Sequence, residues 1–97
     1  MAQFDVHRLG EGLVVDCQSD LLDHIDSRFV IPLALNQFAA IAARRLNPSF
    51  RIGSETYIMV TQQAASVRRG ELGPAVASLA DRSLEITDAI DVLLSGV

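Results

Sequence analysis

Tryptophan is absent from this 97-residue chain, and cysteine occurs once, at Cys17. A lone cysteine excludes an intramolecular disulfide and any zinc centre built on two or more thiolates. Aromatic residues make up 5% of the chain against 49% hydrophobic residues, so the core must be chiefly aliphatic. Basic residues are also scarce: 8 Lys and Arg stand against 12 Asp and Glu, a net charge of −4 at pH 7. Such a chain lacks the basic surface by which proteins grip a phosphate backbone. Its two arginine pairs, Arg44-Arg45 and Arg68-Arg69, are short enough to read as solvated faces. No apolar run approaches the ~18 residues of a membrane span. The opening MAQFDVHRLG has no apolar stretch of the secretory-signal kind. The expectation is one domain over residues 1–97, soluble in a reducing, cytoplasmic compartment. A chain of this size buries a modest share of its surface, and oligomerisation is a common remedy.

What is present is mostly strand pattern. Residues 3–8 alternate, with Phe4 and Val6 on one side and Asp5 and His7 on the other. The LGEG run at 9–12 supplies a hairpin turn. A second strand over 13–19 puts Leu13, Val15 and Cys17 on one face and Val14, Asp16 and Gln18 on the other. Residues 20–27 are rich in acids and read as a loop carrying Leu21, Leu22 and Ile25. Residues 29–33 are again strand-like, and Pro32, which has no N–H, predicts an edge or a bulge there. Residues 36–46 favour a short helix, capped by Asn36 and ended by Asn47-Pro48. Short strands follow at 50–52 and 56–60, joined by Gly53-Ser54-Glu55. A polar connector covers 61–65, and 66–69 suits a last short strand before Gly70. Gly73-Pro74 breaks the chain. Residues 81–94 repeat apolar positions at helical spacing through Ile86, Ala89, Ile90 and Leu93. Asp81 is the expected N-cap and Gly96 the terminator. The fold class expected is mainly β, a small antiparallel or partly closed barrel with a C-terminal helix.

Catalytic patterns are missing. The chain has no Gly-rich phosphate loop, no G-x-S-x-G and no H-E-x-x-H. His7, on the polar side of a strand, and His24, in the acidic loop, read as surface histidines. Asp20, Asp23 and Asp26 with His24 match no calcium-loop spacing. Cys17 alternates with Val15 on an apolar face and reads as a buried small hydrophobe. The helix carries Glu85, Asp88 and Asp91 as an acidic, solvated face. No enzyme activity, cofactor or metal is expected.

The run VVDCQSDLLD, Val14 to Asp23, followed by RFVIPLA, Arg28 to Ala34, resembles the central motif of the CcdB toxin family. RIGSETYIMVT, Arg51 to Thr61, and AASV, Ala64 to Val67, are similar to the family as well, as is the helix around Ala89 and Ile90 with the closing Gly96-Val97. The similarity spans nearly the whole chain. It implies an SH3-like, partly open barrel with a C-terminal α-helix, assembled as a homodimer. It implies a non-enzymatic toxin of a type II toxin–antitoxin (plasmid-maintenance) module that poisons DNA gyrase by binding its A subunit. A CcdA-like antitoxin would neutralise it, and operator DNA would be bound only together with that antitoxin. By the same resemblance Leu21, Leu22, Gly96 and Val97 belong to the gyrase-binding surface. Where the family ends Trp-Gly-Ile, its tryptophan stacking on a gyrase arginine, this chain has Ser95-Gly96-Val97. Losing an aromatic anchor costs about 2–4 kcal/mol of binding, so weakened poisoning is expected. Asp88 and Asp91 stand where a studied member of the family has neutral amides, and they would oppose an arginine-lined groove only if left unpaired.

Two other readings share the fold. An mRNA endonuclease of the MazF/Kid type would draw on Arg28, Arg51 and Arg68. A non-toxic remnant would bind antitoxin alone.

Overall fold

The computed structural model describes residues 2–35 and 44–96. The helix expected over 36–46 therefore falls mostly outside the described residues, of which Arg44 to Leu46 form a turn. Among the described residues seven strands, β1 (Asp5–Leu9), β2 (Gly12–Asp16), β3 (Ser27–Leu35), β4 (Ser49–Ile52), β5 (Glu55–Met59), β6 (Ala65–Arg68) and β7 (Ala75–Ser78), precede one α-helix, α1 (Ser83–Ser95). They form one antiparallel sheet in the order β4-β5-β3-β2-β1-β7, with β6 also pairing β3. The sheet curls into a half-open barrel with α1 packed against it, consistent with the SH3-like expectation.

β3 is the hub and pairs with β2 in unbroken register through Pro32, which corrects the edge or bulge expected there. Phe29 O accepts from Cys17 N at 2.9 Å, so the odd-numbered residues of β3 turn their polar groups to β2. Pro32 points the other way, and there its carbonyl accepts from Val60 N at 2.9 Å. On that edge β6 pairs as far as Val30 and β5 begins at Leu33. The missing N–H thus falls where β3 changes partner, and no ladder bond is lost.

Other boundaries shift for local reasons. The first strand starts at Asp5 because Phe4 has φ 71°, a turn conformation held by Phe4 N to Asp16 O at 2.5 Å and Leu79 N to Phe4 O at 2.8 Å. Late in the chain, from Ala75, the backbone returns to β1: β7, which its short sequence AVAS did not announce, pairs along β1 with a bulge between Val6 and His7. Gly73 permits the approach, since a Cβ there would sit 3.3 Å from Arg8 Cβ and Arg8 O. α1 starts two residues later than expected. A 3₁₀ turn (Ala80–Arg82) precedes it, and Arg82, not Asp81, is the N-cap, with no side-chain capping bond. Gly96 ends the helix as expected: at φ 75° its N–H reaches Val92 O at 2.8 Å, a conformation glycine adopts without a steric penalty.

The core joins Val6, Val15, Ile31, Phe50 and Met59 of the sheet to Ile86 and Ala89 of the helix, all at 1% exposure or less. Cys17 is buried among them, as its alternation predicts. Leu93 departs from the helical pattern and is 42% exposed. His7 is a correction as well. It is 3% exposed, not on the surface: its Nδ1 lies 2.9 Å from Gly73 O, and the return of β7 covers it. Its Nε2 is buried with no hydrogen-bond partner among the described residues.

Candidate partner-binding surface

The outward face of α1 begins with Leu84, 84% exposed, and ends with Leu94, 78% exposed. Helical periodicity sets Thr87, Asp88, Asp91 and Ser95 on the same side. Two of the acids are not free charges. Asp88 receives a two-pronged contact from Arg45, Nη2 to Oδ1 at 2.7 Å and Nε to Oδ2 at 3.1 Å. That guanidinium holds the Asp88 carboxyl below its ordinary value, by hydrogen bonding first and then by charge. Glu85 is lowered in the same way by Arg82, which also lies 4.9 Å above the Phe50 ring and so seals the core beside the helix start. Asp91 is exposed and has no ion pair among the described residues. Ser95 turns its hydroxyl back to Asp91 O at 2.7 Å, a common way for serine to satisfy itself near a helix end. It presents little surface. Gly96 is exposed beyond it, and Val97 lies outside the described residues.

A second exposed group sits on the acidic loop. A 3₁₀ turn (Asp20–Leu22) is opened by Ser19, whose Oγ accepts from Leu21 N at 3.2 Å. Gln3 N ties it to the N-terminal segment through Asp20 Oδ1 at 2.8 Å. Leu21 is 89% exposed and Leu22 44%. Beneath the loop lies a charge network that the alternating strand pattern did not reveal. Arg28 and Asp16, both fully buried, are bonded through Nε to Oδ2 at 2.9 Å. Arg28 Nη2 lies 2.8 Å from the same oxygen, in ion contact though too bent for a hydrogen bond. Asp16 Oδ1 takes the N–H of Gln18 at 3.0 Å, and Arg28 Nη1 reaches Asp23 Oδ1 at 3.3 Å. A buried pair of this kind persists only when its remaining polar atoms are satisfied, and this one nearly meets that condition. Arg28 is thereby unavailable to the RNA-cleaving reading, which had counted on it.

No set of three His, Cys, Asp or Glu that would hold a metal occurs among the described residues. Burial, reinforced by the neighbouring Asp16 charge, pushes the Cys17 thiol up to about 12, so it stays protonated and unreactive at neutral pH. Two exposed apolar groups on an acidic scaffold suit contact with another macromolecule.

A family model described as CcdB protein matches residues 3–96, nearly the whole chain. The chain belongs to the CcdB family. CcdB proteins are toxins of toxin–antitoxin systems that act on gyrase by binding, not by catalysis. The matched region includes Leu21, Leu22, Ser95 and Gly96. The structure sets the first two on the loop tip and the last two at the helix end. No hydrogen bond or ion pair joins the two groups among the described residues. Within this CcdB chain the Arg45–Asp88 contact was not legible, because 43 positions separate the partners. Arg69, which holds the loop from just beyond β6, reads in the sequence as half of a basic pair and the end of a short strand, with no sign of its partners.

Proposed function

We propose that this chain is the toxin of a type II module that binds the A subunit of DNA gyrase, poisons it weakly, and is neutralised by a CcdA-like antitoxin. The supporting observation is the exposure of the helix end, where Leu94 stands out and Ser95 offers no ring, and of the loop tip presenting Leu21 and Leu22. Gly96 extends this surface, and Ser95 is its weak point. Asp88 is paired with Arg45, so the penalty expected from extra acid falls on Asp91 alone. The protein acts as a cytoplasmic homodimer and touches operator DNA only in complex with the antitoxin. Among the described residues no helix is long and apolar enough to cross a membrane, which fits that placement.

The test is expression of the chain alone in a gyrase-sensitive host, paired with a cleavage-complex assay on purified gyrase. Slow growth and a small yield of cleaved DNA, both reversed by a CcdA-like antitoxin, are expected. RNA degradation by the purified chain, or no effect on gyrase at any concentration, would sink the proposal.

A further inference from the structure

Residues 20–27 are all exposed, so no buried side chain fixes their shape. The loop is nonetheless bonded throughout. Leu22 N reaches Ser19 O at 2.9 Å, Asp23 N reaches Asp20 O at 3.2 Å, and Ile25 N reaches Leu22 O at 3.1 Å. A short turn leaves its C-terminal carbonyls without partners. Here three of them converge on one residue. Arg69 Nη2 donates to Asp23 O and, at 3.2 Å, to Ile25 O, while Arg69 N donates to Asp26 O at 2.8 Å. The Asp23 carboxylate lies 3.6 Å from Arg69 Nη1 and 3.3 Å from Arg28 Nη1, so it is held between a buried cation and a half-exposed one. Arg69 follows directly on β6, which is paired to β3 from Ser27↔Arg68 to Val30↔Ala65. The clamp is therefore anchored in the sheet.

We propose that Arg69 is the positioning residue of the Leu21–Leu22 tip: it caps the turn, holds Asp23 against Arg28, and so presents two exposed leucines in a fixed arrangement. A planar guanidinium suits this role because it reaches two carbonyls and a carboxylate at once. An apolar tip that is already ordered loses less freedom on docking, and the saving appears as affinity. The proposal rests on the reading of the tip as a gyrase contact.

Binding of the full chain to the gyrase A subunit, measured by calorimetry for Arg69→Ala, Leu21→Ala and the double variant, tests it. Arg69→Ala should weaken binding about tenfold by loosening both leucines. It should also speed amide exchange at residues 21–26 while leaving exchange in β1 and β2 unchanged. In the Leu21→Ala background the loss on removing Arg69 should shrink markedly, since the two act through one contact. Wild-type affinity in Arg69→Ala, or an equal loss in both backgrounds, would overturn the positioning role. If Leu21→Ala leaves binding untouched, the gyrase reading of the tip fails, and this proposal with it. If Leu21→Ala weakens binding and Arg69→Ala does not, only this proposal fails. Should Arg69→Ala not fold, Arg69→Lys, which keeps the cation without the fork, is read by the same criteria.

Discussion

Arg28 shows how little a single residue's type reveals about its place. On a strand an arginine belongs by default on the wet side, yet this one is fully buried because Asp16 is buried beside it. Removing either partner would strand the other charge away from water. Arg28→Ala should lower the unfolding free energy by about 3–5 kcal/mol, read from urea melts. Asp23→Ala, whose side chain is 50% exposed, should cost far less. Equal losses from the two would mean that the network, rather than the buried pair, sustains the fold. Cys17 offers a second residue-scale prediction. Its folded value is raised from 9.0 to about 12, so the protonated thiol favours the folded chain. That contribution is fully present below pH 9 and is lost as pH rises towards 12. Stability should therefore fall more steeply over this range in the native chain than in Cys17→Ala. Parallel alkaline melting curves for the two would contradict the burial argument. Cys17 was legible from its alternation with Val15. His7 was not, because its Nδ1 meets Gly73 O, 66 positions away, where the chain turns into β7.

At the scale of elements, α1 is a good sequence-level object with a poor sequence-level start. Its apolar positions and Gly96 follow from local periodicity and backbone freedom. Its first turn does not, since Arg82 caps without a side-chain bond and is instead drawn to Glu85, Ser49 O and the Phe50 ring. Its outward face is also decided elsewhere, by Arg45 covering Asp88. The element's binding capacity then turns on Ser95. Ser95→Trp should raise the yield of gyrase-cleaved DNA, and an aromatic anchor is worth roughly 30- to 1000-fold in affinity. If Ser95→Trp gains nothing while Asp91→Asn does, the exposed carboxylate rather than the missing ring limits docking.

At the scale of the whole molecule, the family resemblance and the modest share of surface that a 97-residue chain buries are the reasons for proposing a homodimer. Its melting temperature should rise with protein concentration, and sedimentation should give twice the monomer mass. A melting temperature independent of concentration, with monomeric sedimentation, would refute the dimer and leave the single chain as the acting unit.

The sequence alone determined the class of fold, the family motifs, most strand positions and the helix with its glycine end. Each depends on periodicity or on chemistry within a few neighbouring residues. Only the tertiary structure decided that β3 is the hub of the sheet, that β7 closes onto β1, that Arg28 and His7 are inside, and that Arg45 and Arg69 hold the two exposed surfaces. Those outcomes depend on which distant strands meet. Local pattern cannot encode this, because burial and charge pairing are properties of residues brought together by the fold.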